Sequence, residues 1–524
     1  MTSDPQVPAP ALWLRWGVWV AFGVLVLLLL APAGPFARFV DTSATWLDYP
    51  YARPGSEGLI LYESLLVKRG VDIYSPITAE RFISGPYPPL FYRVAAWVLP
   101  SRLPDLGVPG AIDSIFRNGR AISLLATLLA AALVALLVIF EGGYNRHGWR
   151  TLVPAALGAT VGGTLLLTMP QVIVWATRFR GDMLMIALTA AGLVCVALGT
   201  QRSRVTWRSP LLLAAAGLFV FAFFTKQTAL AGPAASAVYL LLRDWRVGLR
   251  WCVVLLLAVA VPFAILDLAN GHWFYLKMIV YHSLPFSGLT FTRLLHYAFW
   301  DEEWPLILVA VGYALYGLGQ WIAARRTAAA RDVPLLIPLF VLASLATLPT
   351  GAVVGADHNH LLMPGLALSA AAGALLAMAL VAATNPARAP KSAFDPLLLA
   401  SLAAILVLMG YVVFTSAPST VAYGPDLAQP SAAEQEQLRK IAFYLRQSPG
   451  TLFYADDAGV LALAGKDTPY DDPFTMSALA AQGRWDESTL RTMLRQGKFG
   501  LLVLSCDVMA TLDQQEGRKR GENL

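Results

Sequence analysis

The sequence predicts an α-helical polytopic membrane protein with about eleven transmembrane helices, a large first outer loop and a small C-terminal α/β domain on the outer face. Three observations predict it. Hydrophobic residues make up 57% of the 524 positions and charged residues 14%, with a mean hydropathy of +0.59, whereas a soluble domain is about a quarter charged. Uncharged runs such as Trp16–Ala33, Ile122–Phe140, Met183–Thr200 and Pro396–Phe414 approach the ~20 residues that carry a helix across ~30 Å of hydrocarbon. Helices suit these runs because lipid offers open backbone groups no partner. Finally, basic residues gather in alternate loops.

Taken in order, the spans fall near 12–32, 119–140, 152–169, 182–199, 209–225, 229–242, 251–268, 304–323, 333–349, 359–382 and 396–416. The first reads as a retained anchor rather than a cleaved signal, because its apolar stretch is long and little positive charge precedes it. Loops near 141–151, 200–208, 243–250, 325–332 and 385–394 hold the basic clusters, from Arg146 and Arg150 through Arg202, Arg204 and Arg208 to Arg331, Arg388 and Lys391. The positive-inside rule makes these cytoplasmic. By parity the N-terminus is inside, while loop 33–118, the loop near 270–303 and everything after the last span are outside. Pro88–Pro100 is too short to span and is expected to lie along the interface. These expectations divide the chain into a membrane domain, 1–418, and an outer domain, 419–524.

That outer domain has soluble composition. Ala432–Gln447 reads as an amphipathic helix, Thr451–Tyr454 and Val460–Ala464 as strands, Asp486–Gln496 as a helix and Phe499–Leu504 as a buried strand. The net charge of +6 is spread over short loops and forms no stripe, which argues against nucleic acid. Cys195, Cys252 and Cys506 lack ligand spacing, so neither a zinc site nor a disulfide framework is indicated.

The residues able to carry chemistry lie on the outer side. Loop 33–118 contains Gly55-Ser56-Glu57-Gly58, a helical period over Leu59–Lys68 that includes Glu63, then Gly70-Val71-Asp72-Ile73-Tyr74, and closes on Tyr87-Pro88-Pro89-Leu90. Taken alone, Glu57 is an ordinary first-turn acid favoured by the helix dipole. Three clusters share its face: Arg178-Phe179-Arg180-Gly181-Asp182, Thr225-Lys226-Gln227-Thr228 and Asp357-His358-Asn359-His360. Each has a plain alternative, since arginines snorkel to headgroups and Lys226 or a histidine can end a helix. Ionisable groups at membrane depth are nevertheless costly and point to function. Cations and amides suit a phosphate; an acid pair suits a base or a metal.

In these motifs the chain resembles the GT-C glycosyltransferases, in the bacterial branch similar to protein O-mannosyltransferases and lipid A aminoarabinose transferases. The resemblance runs from the acidic motif and the Tyr-Pro-Pro-Leu closure through Arg117 and Arg120, Arg180–Asp182, Phe224–Thr228 and Asn359-His360 to Ala455–Gly459 and Gly483–Asp486. It implies a polyprenyl-phosphate sugar donor, a lipid, glycan or protein acceptor, and inverting displacement at the outer face of the bacterial cytoplasmic membrane. It also implies Glu57 as base, Asp182 as second acid, and Lys226, Arg180, His360, Asn359 and Tyr87 as donor-phosphate contacts. Glu57 and Asp182 are the implied ligands of a divalent cation, Mg or Mn. Ser56 stands where relatives keep an acid, which leaves Asp48 or Asp41 as alternative bases, and Tyr87 stands where some relatives carry Lys. A secondary transporter or flippase is the competing class, but carriers place charges near mid-membrane on broken helices.

Overall fold

The computed structural model describes residues 9–53, 56–100, 113–201, 205–296, 303–327, 333–384, 396–416, 431–450 and 452–504. Gly55, Arg202, Arg204, Arg331, Arg388, Lys391, Cys506 and the expected domain boundary near 418 lie outside them. The described residues are largely α-helical, and eight of the helices are long and apolar enough to cross a membrane. The chain is a polytopic membrane protein.

The bundle comprises α1 (Ala9–Leu30), α5 (Asp113–Glu141), α6 (Trp149–Thr168), α8 (Asp182–Gly199), α9 (Pro210–Thr225), α10 (Ala231–Arg243), α11 (Trp245–Ala269), α14 (Trp304–Ala324), α15 (Leu336–Leu345), α16 (Leu362–Thr384) and α17 (Pro396–Ser416). Helices stand at each expected span. However, those near 209–225, 229–242 and 333–349 have only 16, 13 and 10 residues, short of the ~20 a crossing helix needs. The apolar window that includes α16 is 89% buried, against 6% for that of α11. Composition explains the contrast. α16 is rich in Ala and Gly, and Gly373 meets Gly162 of α6 backbone to backbone, the close approach that small residues permit. α11 instead turns Leu256, Ile265 and Leu268 outward.

The first loop carries α2 (Pro35–Leu47), α3 (Glu57–Lys68) and α4 (Pro89–Val98). The segment expected along the interface holds α4, whose 10 residues bury Phe91, Tyr92 and Ala95 and leave Trp97 exposed. The short α7 (Pro170–Trp175) leads into the arginine cluster, and α12 (Trp273–Tyr275) and α13 (Gly288–His296) belong to the second loop.

The C-terminal domain contains α18 (Ala432–Gln447), α19 (Ala458–Ala464), α20 (Pro473–Ala481), α21 (Ser488–Arg495) and a two-stranded parallel sheet of β1 (Phe453–Ala455) and β2 (Leu501–Val503). Two expectations are corrected. Val460–Ala464 is helical, because Asp457 caps α19 by accepting from Gly459 N at 2.8 Å, Ala favours helix, and Gly465 ends it at φ 68°. β2 is only partly buried, since it is one strand of a sheet too small to cover both faces. The domain docks on the first loop. Phe82 bridges Tyr470, Phe82 N donates to Pro469 O at 2.7 Å, and Tyr62 of α3 exchanges hydrogen bonds with Thr468 at 3.0 and 3.1 Å.

Candidate active site

Helix ends converge at one end of the bundle. Asp182 is the first residue of α8, Lys226 follows α9, and Asn359 and His360 sit in a 3-10 turn ahead of α16. Asp182 gathers them: it pairs with Lys226, accepts from Asn359 Nδ2 at 3.1 Å and lies 3.3 Å from Arg180 Nε. Arg180 donates to the Tyr87 hydroxyl. The Arg180 guanidinium and the Lys226 ammonium lie 5.3 and 5.4 Å from the Tyr87 ring centroid, a favourable placing of cations over an electron-rich face. His360 Nδ1 is 3.1 Å from Thr350 Oγ1.

Tyr87, Arg180, Lys226, Asn359 and His360 line a single cavity of about 800 Å³. Asp182 stands behind this wall, in a small recess with Tyr87, Tyr92 and Lys226. All five expected phosphate contacts are thus brought together, and Asp182 is their common anchor.

Glu57 is placed differently. It is fully buried and does not line the cavity, although its neighbours Ser56 and Gly58 do. Arg120 grips it with Nε on Oε1 at 2.8 Å and Nη2 on Oε2 at 2.7 Å. Arg53 N and Phe179 N each add a further bond at 2.7 Å. Burial alone would raise this carboxyl, but Arg120 and the Arg53 amide outweigh it and hold the group below the usual carboxylate range. Asp48, at the end of α2, pairs with Arg117 on the surface at 2.8 Å and is likewise absent from the lining. The expected metal ligands are each paired with a cation of this chain, Glu57 with Arg120 and Asp182 with Lys226. Among the described residues no group of three or more His, Cys, Asp or Glu side chains is placed to hold a metal ion.

The cavity also has residues that sequence reasoning did not single out. Arg53 and His282 line it, as do Asp457, Asp471 and Asp472 of the C-terminal domain. The His282 ring meets the Lys277 carbonyl through Nδ1 at 3.0 Å; a carbonyl only accepts, so Nδ1 carries the proton. Burial lowers its pKa, which leaves Nε2 unprotonated. A signal for His282 was available, because it and Lys277 are polar interruptions of an apolar stretch. Asp457 lay within the Ala455–Gly459 stretch of the resemblance without a role, and Asp471 and Asp472 read as ordinary surface residues.

No family model matches the chain, and no curated protein matches it. Among solved structures it is similar to the Archaeoglobus fulgidus oligosaccharyltransferase in its apo form, with a TM-score of 0.47 and 12% identity over 88% of this chain and 65% of that one. The chain spans less than two thirds of that protein's length.

Proposed function

We propose that this chain is a membrane glycosyltransferase that moves a sugar from a polyprenyl-phosphate donor to an acceptor at the outer face of a bacterial cytoplasmic membrane. One observation carries the reading. Tyr87, Arg180, Lys226, Asn359 and His360 come from four separate stretches of chain and meet on one cavity wall at the end of the helical bundle. Two buried cations with an amide, an imidazole and a phenol are the chemistry a phosphate needs, and helix ends are where a lipid-borne phosphate lies.

The phosphate is already a fair leaving group. The acceptor oxygen attacks sugar C1, the bond from C1 to the phosphate oxygen breaks, and its electron pair remains on the phosphate. Arg180 and Lys226 neutralise the charge that develops there, in a site whose donors are held in advance by Asp182. The cavity wall holds donor and acceptor in line, which supplies the remaining gain. Glu57 is not assigned the base role, because all its hydrogen-bonding directions face Arg120 and the backbone. The polar groups sit at helix ends rather than mid-helix, which favours a transferase over a carrier.

The test is transfer of labelled sugar from polyprenyl-phosphate donors in proteoliposomes. Lys226→Met and Arg180→Ala are each expected to lower it ~10²–10³-fold. Wild-type transfer by both overturns the donor site. Uptake of a polar solute with no dependence on lipid-linked sugar would establish a carrier instead.

A further inference from the structure

The cavity that holds the cationic wall is also lined by acids of the C-terminal residues, Asp457, Asp471 and Asp472 among them. The three differ in what their neighbours leave available. Asp472 caps α20, with Oδ1 accepting from Thr475 N at 3.0 Å and Oδ2 from Thr475 Oγ1 at 2.6 Å; it is fully used. Asp471 is 1% exposed, accepts from Ser84 N through Oδ1 at 3.0 Å, and has no partner for Oδ2 among the described residues. Asp457 accepts from Gly459 N through Oδ1 and, among the described residues, pairs with no cation. A buried carboxyl oxygen without a donor is uncompensated, and a native fold normally supplies the missing partner. Here the open side is the cavity.

We propose that the C-terminal domain supplies the acceptor side of this cavity, with Asp457 taking the proton of an attacking hydroxyl and Asp471 hydrogen-bonding the acceptor beside it. The assignment rests on the transferase reading above. In the step, the acceptor O–H bond breaks and its proton passes to the free oxygen of Asp457. The new O–C1 bond forms as the C1–phosphate bond opens, and the electron pair leaves with the phosphate. The acceptor carries no negative charge near this hydroxyl, because the Asp457 carboxylate would repel it.

The two acids divide the roles by environment. Burial raises Asp457 to about 6, with Glu57 of α3 adding to the rise and the Gly459 amide opposing it. Asp457 is therefore ionised at neutral pH yet more basic than a surface carboxylate, as a general base requires. Burial, Glu63 and Asp472 push Asp471 well above the usual carboxylate range, which suits a group that hydrogen-bonds the acceptor beside the base. Asp457 is held over the mouth of α3 by contact between Gly58 and Gly459, which ties the base to the loop that borders the donor wall.

The experiment uses the full chain in nanodiscs, with polyprenyl phosphate as the binding probe and a lipid and glycan extract of the native membrane as acceptor. Asp457→Asn is expected to keep the thermal shift that polyprenyl phosphate gives the wild type while losing ~10²–10⁴-fold in kcat, with partial recovery in Asp457→Glu. Asp471→Ala is expected to raise the apparent acceptor KM about tenfold, the sensitivity of a lost hydrogen bond in a buried site. Retained lipid binding with wild-type kcat in Asp457→Asn overturns this inference and leaves the transferase reading standing. Absence of both lipid binding and transfer in the wild type overturns the two together.

Discussion

Arg120 and Glu57 form a two-pronged ion pair, at 2.8 and 2.7 Å, in which neither side chain is exposed. Arg120 also donates to the carbonyls of Trp46 at 2.9 Å and Tyr51 at 2.6 Å, and to that of Tyr49. The pair therefore knits α2, α3 and α5 together at the root of the first loop.

Glu57→Gln is accordingly a stability variant before it is an activity variant. It leaves Arg120 buried without its counter-charge, a change that costs ~3–5 kcal/mol. Thermal unfolding in detergent is expected to show a clear drop, and an Arg120→Met partner substitution is expected to restore part of it. The pH dependence follows from the depressed Glu57 carboxyl. Its contribution is complete above the unfolded carboxylate range and is lost only as pH falls through the lower folded value. Wild-type stability in Glu57→Gln would contradict the pair's role.

Tyr87→Phe removes only the hydroxyl that accepts from Arg180. The guanidinium keeps its ring contact and Asp182, so the expected loss is ~0.5–1.5 kcal/mol in polyprenyl-phosphate affinity, read by titrated thermal shift. Arg180→Lys is expected to cost more, because an ammonium cannot reproduce the planar fork. The reverse order would mean that Arg180 does not face the phosphate.

Gly58→Val probes docking of the C-terminal domain. A Cβ at Gly58 would overlap the Asp457 carboxylate and stand 2.7 Å from Gly459 N. Limited proteolysis is expected to release the C-terminal domain faster in this variant, and transfer to fall with it. Unchanged cleavage would show that α19 does not rest on α3.

With Asp457 as the base, it is expected to set the acid limb of the rate. The charged group that bears on it is Glu57, itself held by Arg120. A base must be unprotonated, so kcat is expected to fall about tenfold per pH unit below about 6. In Asp457→Asn the remaining rate is expected to lose that limb. A limb unchanged in the variant would assign it to another group, with His282 the next to test.

Much of the bundle was legible in advance. Uncharged runs marked each of the eleven helices of the bundle, because burying an apolar run in lipid depends on local composition alone. The cationic wall of the cavity was legible for a related reason. Arg180, Lys226 and His360 are costly at membrane depth wherever they fold, so their presence signals use. Val460–Ala464 was misread because a short apolar run fits strand and helix alike, and its cap and closing glycine decide between them.

The sequence by itself determined that this is a membrane chain with polar clusters at one set of helix ends. Only the tertiary structure decided what those residues do for one another. Glu57 looked available because charge is visible in a sequence, while its partner Arg120 lies 63 positions away. Asp457 and Asp471 looked ordinary because their burial depends on docking against α3 and Ser84. A carboxylate's chemistry is set by what surrounds it, and contacts between distant stretches leave no local mark.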